Sequence, residues 1–500
     1  MVLSPMLARL TPVSEETTAD NTLSVLDEAA VLRRLDDALR PVQQTLQPLA
    51  ASFAARGHKL YLVGGSVRDA LLDRLGHDLD FTTDARPDAI LAALGTLTDS
   101  IWDTGIAYGT VSGEHDHNQL EITTFRSDTY DGNSRNPEVQ FGDTLSGDLI
   151  RRDFRINAMA CEVHADGSYT FHDPLGGLED LAAGLIDTPD SPEISFGDDP
   201  LRMLRGARFV SQLDMDLSDR VATAMTAMAG EITRISVERI AHELDRLMLG
   251  LNPVKGVDVM VSTGLCDYFF PEIPALQLTP DEHMRHKDVY RHSLQVLQQA
   301  IDQEEDGPDL VLRWAALIHD IGKPDTRAAK PGGGVTFYQH ESVGAKLARR
   351  RFRALKYSKR MISDINDLVF LHMRFHGYGE SEWTDSAVRR YVADAGDLLP
   401  KLHKLVRADV TTRNQRKAAR LARAYDNLEQ RIAELQEQES LAQVRPALDG
   451  NAIMKLLDLR PGPEVGQAWA FLKELRLEEG PMEPEEATAR LLQWWEQRQQ

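Results

Sequence analysis

Apolar residues recur at helical spacing along 24–56, where Leu32, Leu35, Leu39 and Leu46 predict a pair of helices. From 58 to about 175 the period shortens, and KLYLVGG, DLDFTT, GTVSG, QLEITTF and SYTFHD read as short strands separated by turns. Helices with Gly and Pro stops dominate thereafter. In ISVERIAHELDRLMLG (235–250), Ser236 stands as a cap while Ile240, Leu244 and Leu247 share one face. PDEHMR near 280 opens a further helical region that carries most of the histidines. DGNAIMKLLDLRPGPEVGQAWAFLKEL (449–475) reads as helix, Pro-Gly turn and helix. The pattern predicts a mixed α/β head followed by an elongated helical body, without internal repeats.

Five hundred residues suggest roughly three domains of about 150 residues each. The chain is 42% apolar and 27% charged, and no apolar run approaches the roughly 18–20 residues of a membrane span. The first twenty residues lack a basic region followed by an apolar core, which predicts a disordered tail rather than a secretory signal. Cys161 and Cys266 are too few for a disulfide framework, so a cytoplasmic protein is expected.

The net charge of −22 opposes a nucleic-acid partner, but its distribution changes that picture. GAKLARRRFRALKYSKRM (344–361) holds eight cations and no acid, and a second basic region runs from Lys401 to Arg423. One such run is ordinarily a solvated helix face. Two inside an acidic chain point to a local phosphate-binding surface, with Arg349, Arg350, Arg351 and Arg353 as RNA-binding candidates.

The richest segment is LYLVGGSVRDALLDRLGHDLDFTTDA. A strand runs into Gly64-Gly65 and then a helix near Ser66, an arrangement that lets backbone approach a phosphate. Asp78 and Asp80 follow on a strand, where i and i+2 share a face while Leu79 and Phe81 turn to the core. Convergent carboxylates beside a phosphate turn suit Mg²⁺. Farther on, in FGDDPLRMLRGARF (196–209), Asp199 sits where an N-cap belongs and Pro200 at the first helical position. Arg202 follows at i+3 on the same face, and a capping role for Asp199 leaves Arg202 unexplained.

GGSVRD followed by HDLDF resembles motif A of the class II tRNA nucleotidyltransferases, the CCA-adding enzymes, and of bacterial poly(A) polymerases. LIRRDFRINAMA is similar to the family's RRDFTINAMA, DDPLRMLRGARF to EDPLRMLRAVRF, and ISVERIAHEL to the motif closing the neck. These motifs span roughly 58–250, and DGNAIMKLL with PGPEVG resembles the family's tail. The resemblance implies an α+β nucleotidyltransferase head, a small mixed sheet with helices, followed by an elongated all-α neck, HD-bearing body and tail. On that reading 1–22 is a disordered tail, 23–190 the head and 191–265 a helical neck for base recognition and RNA binding. Residues 266–430 form the HD domain and body, and 431–500 a helical tail.

The resemblance also implies roles. Gly64, Gly65 and Arg68 contact the nucleotide and its triphosphate, and Asp78 and Asp80 hold Mg²⁺. Arg152, Asp153 and Asn157 meet sugar and phosphates, although helix capping is the plainer alternative for the last two. Glu121, on QLEITTF, is a third catalytic carboxylate, and Asp199, Arg202, Arg205 and Arg208 complete the nucleotide site. Two positions depart from the family: 198 is Asp where Glu is frequent, and 155 is Arg where Thr is usual, so Arg155 inherits no role. Cytosine and adenine both present an amino donor beside a ring-nitrogen acceptor, and guanine and uracil the reverse. An acceptor-only Asp199 beside a donor-only Arg202 therefore selects C and A.

IAYGTVSGE (106–114) resembles the CCA-type strand, and a basic GKRF-like signature of poly(A) polymerases is missing. The polar loop FRSDTYDGNSRNPEVQF (125–141) resembles one that the family needs for the final A. His292, His319-Asp320 and Asp409 form an ordered set resembling the HD metal-dependent phosphohydrolases, and imidazoles with carboxylates suit a divalent transition metal. His340 and His372 could enlarge that site. The expected activity is untemplated addition of CCA to tRNA from CTP and ATP by two-metal attack of the 3′ hydroxyl on the α-phosphate. The alternatives are a poly(A) polymerase and an HD-type RNA phosphohydrolase. Neither a membrane nor an obligate protein partner is expected.

Overall fold

The alternation of the head's apolar and polar residues builds one mixed sheet in the computed structural model, which describes residues 28–129, 138–277, 288–331, 334–377, 383–412, 414–439 and 446–499. In chain order the strands are β1 (Leu60–Val63), β2 (Asp78–Thr83), β3 (Ile101–Trp102), β4 (Thr110–His115), β5 (Asn118–Thr124), β6 (Arg126–Thr129), β7 (Glu138–Phe141), β8 (Ala160–Val163) and β9 (Tyr169–His172). β6 and β7 pair as a separate hairpin, and the other seven lie in the order β3-β4-β5-β2-β1-β8-β9. Only β2 and β5 run parallel in that sheet, with Asp80 beside Glu121. All five predicted strand segments are present, although the tip of the 125–141 loop, residues 130–137, lies outside the described residues.

The predicted helix pair is Glu28–Leu39 and Gln43–Ala54, joined by a 3₁₀ turn. Leu35, Leu39 and Leu46 are fully buried against the head, while Leu32 is half-buried. β1 leads into the helix Gly65–Leu71, which returns the chain to β2.

The chain forms two compact units. One runs through Val210 and includes Asp214–Glu231, and the other comprises Ser211–Leu213 and everything from Ile232. The expected neck, 191–265, is therefore divided at Glu231. Among the contacts that tie its first part to the head, Phe209 packs edge-on against Phe154 at 5.7 Å, and Arg205 is bonded to Asp153.

The second unit is helical, apart from a short hairpin at Arg327–Ala329 and Val335–Phe337. In the helix Val237–Met248, Ile240, Leu244 and Leu247 are buried as their spacing predicts, but the Ser236 side chain makes no cap bond. Trp314, Phe270 and Phe352 interlock with ring centroids 5.3–5.9 Å apart. The final helices, Gly450–Leu457, Pro463–Glu479 and Pro484–Gln499, enclose their own core of Ile453, Ala468, Leu472 and Leu491. Among the described residues no helix is long and apolar enough to cross a membrane.

Candidate functional site

Strand pleating places the head's carboxylates. Leu79 and Phe81 are buried while Asp78 and Asp80 stay open to solvent, and Glu121 joins them from β5. Ser66 locks this strand to the preceding helix, donating to the Asp78 carbonyl (3.3 Å) and accepting from the Asp80 N–H (2.9 Å). Gly64 has φ +66°, and a Cβ there would lie 2.9 Å from Arg152 Nη1 and 3.8 Å from Asp80 Oδ2. The left-handed backbone favours glycine there, and a Cβ would also push the Arg152 guanidinium aside. Arg152 is itself held by buried Asp148, four residues earlier (3.1 Å).

Loss of hydration, then the charges of Glu121 and Asp78, push the Asp80 carboxyl up to about 6 against the pull of Arg152 and Arg68. A carboxylate must be ionised to bind a hard cation, so a divalent cation held by Asp80 would bind more weakly as pH falls through 6. Between pH 7.5 and 5.5 the ionised fraction of Asp80 drops about fourfold, and the affinity for Mg²⁺ would drop with it if Asp80 is a ligand. Calorimetric titration at the two pH values checks this, and equal affinities would remove Asp80 from the ligand set.

Behind the carboxylates lies a set of arginines. Asp153 Oδ2 accepts two bonds from Arg205 (2.8 and 2.5 Å), while its Oδ1 accepts from Asn157 (3.0 Å) and the Phe154 N–H (2.9 Å). Burial alone would raise the Asp153 carboxyl, but Arg205 and Asn157 hold it well below the usual carboxylate range. Asn157 Oδ1 in turn accepts from Arg68 (2.5 Å), which also grips Asp69 (2.9 and 2.8 Å). Asp153 and Asn157 are the two residues expected to meet sugar and phosphate. Both are buried and engaged in orienting arginines, and only the bond to Phe154 resembles a cap. Phe209 gathers Arg68, Arg205 and Arg208 around its ring, at 5.2, 5.7 and 4.2 Å from the centroid.

Asp199 accepts from the Leu201 N–H (3.1 Å) at the start of the helix Leu201–Leu213. Arg202 proves to be a structural brace as well, since it bonds the Ser195 hydroxyl (2.9 Å) and the Arg151 carbonyl (2.7 Å). Arg155, which inherits no family role, bonds the Thr188 carbonyl (3.1 Å) and lies 3.8 Å from both Asp180 and Asp187.

In the second unit, six residues converge as two groups: His292, His319 and Asp409, and Asp320, His340 and His372. The expected set is thus enlarged by both additional histidines. His319, His340 and His372 each direct Nδ1 at a backbone carbonyl, of Ala316 (2.9 Å), Phe337 (2.9 Å) and Val369 (2.6 Å). Those bonds turn the Nε2 atoms inward. Nε2 of His319 then faces that of His292 at 3.3 Å, and Nε2 of His340 faces that of His372 at 3.3 Å. A shared proton or a bound cation satisfies such a pair, and imidazoles with carboxylates form a donor set that fits divalent metals. Asp320 links the groups, at 3.2 Å from His319 through Oδ2 and 3.2 Å from His340 through Oδ1. Burial disfavours an imidazolium, yet Asp320 and Asp409 overcome it and push His319 up to about 10. Burial and the neighbouring His319 lower His372 to about 3.

Of the surface arginines, Arg349 and Arg353 are exposed, and Arg350 is exposed with Glu272 at 3.4 Å. Arg351 is engaged internally, bonded to Glu272 (2.8 and 3.0 Å) and the Phe269 carbonyl (3.0 Å). Sequence reasoning missed Ser66, Asp148 and Ser195. Asp148 was within reach, since an acid four residues before an arginine is a helical pair signal.

Residues 60–187 match the poly A polymerase head domain, 214–276 the probable RNA and SrmB-binding site of polymerase A, and 289–433 the HD domain. The A-adding tRNA nucleotidyltransferase of Deinococcus radiodurans is 32% identical over 450 residues, covering 87% of this chain and 95% of that protein. The chain belongs to the tRNA nucleotidyltransferase family. Another member, the CCA-adding enzyme of Bacillus pumilus, is 33% identical over 311 residues, 62% of this chain and 70% of the relative. The fold of this nucleotidyltransferase is also that of the Bacillus stearothermophilus CCA-adding enzyme in complex with CTP. Their TM-score is 0.64 at 23% identity, over 92% of this chain and 98% of that one.

Proposed function

We propose that the head adds C, C and A, without a nucleic-acid template, to the 3′ end of tRNA from CTP and ATP. The observation that carries this is the meeting of Asp78, Asp80 and Glu121 on adjacent strands beside the Gly64 turn and Arg152. The 3′ oxygen forms a bond to the α-phosphorus, the α–β bridging bond breaks, and pyrophosphate leaves. Asp78 and Asp80 would hold Mg²⁺, which when bound offsets the charge developing on the phosphates. Arg152 and the arginines gathered by Phe209 supply fixed positive charge for the triphosphate. Because their partners are already in place, little reorganisation accompanies the transfer.

A second reading, addition of the final A alone, is favoured by the D. radiodurans relative, which matches over 95% of its length. Transcripts ending before CCA and transcripts ending in CC, each given labelled CTP and ATP, separate the two. CCA on the first supports the proposal, and A only on the second supports A addition. A run of A, or no incorporation, overturns both.

Base choice rests on Asp199 and Arg202. A carboxylate has about four lone-pair sites, so accepting from Leu201 does not exhaust Asp199. Ser195 and the Arg151 carbonyl fix the direction of the Arg202 fork. Two mismatched polar contacts, at about 1–3 kcal/mol each, give roughly 30- to 10⁴-fold discrimination against G and U. Asp199→Ala and Arg202→Ala should therefore incorporate UTP and GTP, read as kcat/KM for each nucleotide on a tRNA lacking its end. Unchanged strictness in both variants would leave Asp199 as a helix cap and Arg202 as a brace.

We also infer that the second unit holds two divalent transition-metal ions, one in each three-residue group, for hydrolysis of phosphate esters. The support is the pair of facing Nε2–Nε2 contacts. Bound there, such ions polarise a phosphoryl oxygen. Elemental analysis of protein purified without chelator tests the stoichiometry.

A further inference from the structure

A cavity of about 610 Å³ opens over the histidine cluster. That is far more than one phosphate fills and lies within the roughly 300–1,000 Å³ of sites that enclose whole ligands. Part of its wall is apolar, at Val410 and Leu421, and two cations, Lys417 and Arg420, line it as well. Lys323 lies there too, but Asp320 holds it at 2.6 Å.

The charges show what the cavity takes. With two divalent ions, the carboxylates Asp320 and Asp409 and the cation Lys323, the cluster carries a formal charge of +3. One phosphate dianion leaves that still positive, so Lys417 and Arg420 are without a counter-charge.

The protein supplies none of its own. Both residues are exposed, on the helix Gln415–Glu439, and neither makes a side-chain hydrogen bond or ion pair with any described residue. Arg416 and Arg423 on the same helix are equally unpaired among the described residues. The first acids of that helix, Asp426 and Glu429, are taken by Arg407 at 2.8 and 3.0 Å. Farther along, Arg431 is paired with Asp385. The unpaired cations are thus gathered in the one stretch of this helix that reaches the cavity.

We propose that Lys417 and Arg420 form a second phosphate subsite, so that the cavity takes a terminal phosphate of an oligonucleotide together with its neighbouring internucleotide phosphate. The inference rests on the reading of the cluster as a phosphate-ester centre, and it selects a polynucleotide end over a mononucleotide. In the reaction, a water oxygen bonds to the terminal phosphorus and the ester bond to the ribose oxygen breaks. That oxygen takes a proton, and inorganic phosphate departs.

Calorimetry of the full chain loaded with Mn²⁺ tests this with uridine mononucleotides and diuridylates, each carrying its terminal phosphate on the 3′ or the 5′ side. The diuridylate of one or both series should bind about tenfold tighter than its mononucleotide, the order given by two solvent-accessible cation contacts. The Lys417→Ala, Arg420→Ala double variant should lose that gain and flatten the salt dependence, with mononucleotide binding and metal content unchanged. Equal affinity of mononucleotide and diuridylate in the parent protein overturns the subsite, as does equal weakening of both in the variant. The 3′ and 5′ arms show which end is taken. Elemental analysis judges the metal centre separately. If no metal is taken up, the same titration of metal-free protein still decides whether the two cations hold a second phosphate.

Discussion

Asp80→Ala should abolish incorporation of both C and A while tRNA still binds. Metal-stabilised charge contributes several kcal/mol to a phosphoryl transfer, so losing a ligand should cost about 10³-fold or more in rate. Both steps should fall together, since on the proposed mechanism the carboxylates act on the α-phosphate chemistry that C and A addition share. The readout is single-turnover labelling of a transcript lacking CCA and of one ending in CC, alongside a gel shift for tRNA. A second measurement separates lost chemistry from lost folding. The Asp80 carboxyl is pushed up to about 6 by lost hydration and by Glu121 and Asp78, so its ionised form costs stability above that pH. Its removal should therefore leave the melting temperature at pH 7.5 unchanged or higher. Turnover within tenfold of the parent would refute the assignment.

Asp320→Ala should empty the metal centre proposed for the second unit and leave nucleotide addition in place. The carboxylate is buried and reaches both three-residue groups, so its loss should strip metal from each rather than from one. It also frees Lys323, bonded to it at 2.6 Å, and removes the acid that offsets the charge on His319. Breaking a buried pair by deleting one partner costs about 3–5 kcal/mol, and with Lys323 partly exposed the cost should fall toward the lower end. Metal content, the melting temperature and CCA incorporation are the three readouts. Retention of two metals would show that Asp320 is not the link between the groups.

Much of the head was legible because its signals are local. The strand, glycine turn, helix and second strand of 60–83 lie within one short stretch, and pleating alone sets which acids face outward. The HD set was legible as an ordered series of residue types, and only folding shows its six members converging as two groups. What escaped the sequence was the commitment of polar groups to distant partners. Arg68 is spent partly on Asn157, 89 positions away, and Arg351 on Glu272, 79 positions away. A basic run looks the same in sequence whether its guanidiniums face water or an internal acid. Arg155, set aside for departing from the family, proves to bridge the Thr188 carbonyl and two buried aspartates.

The helix Leu201–Leu213 carries Arg202, Arg205, Arg208 and Phe209 within its first three turns. A helix of that length is stiff, so these side chains move as cogs on a single shaft. On the base-choice role proposed for Arg202, a change that reaims it toward another base also shifts the lever that holds Asp153 and, through Asn157, Arg68. Accuracy and speed would then be geared together, and lineages drifting toward a foreign nucleotide would meet their own brake before they met a new substrate.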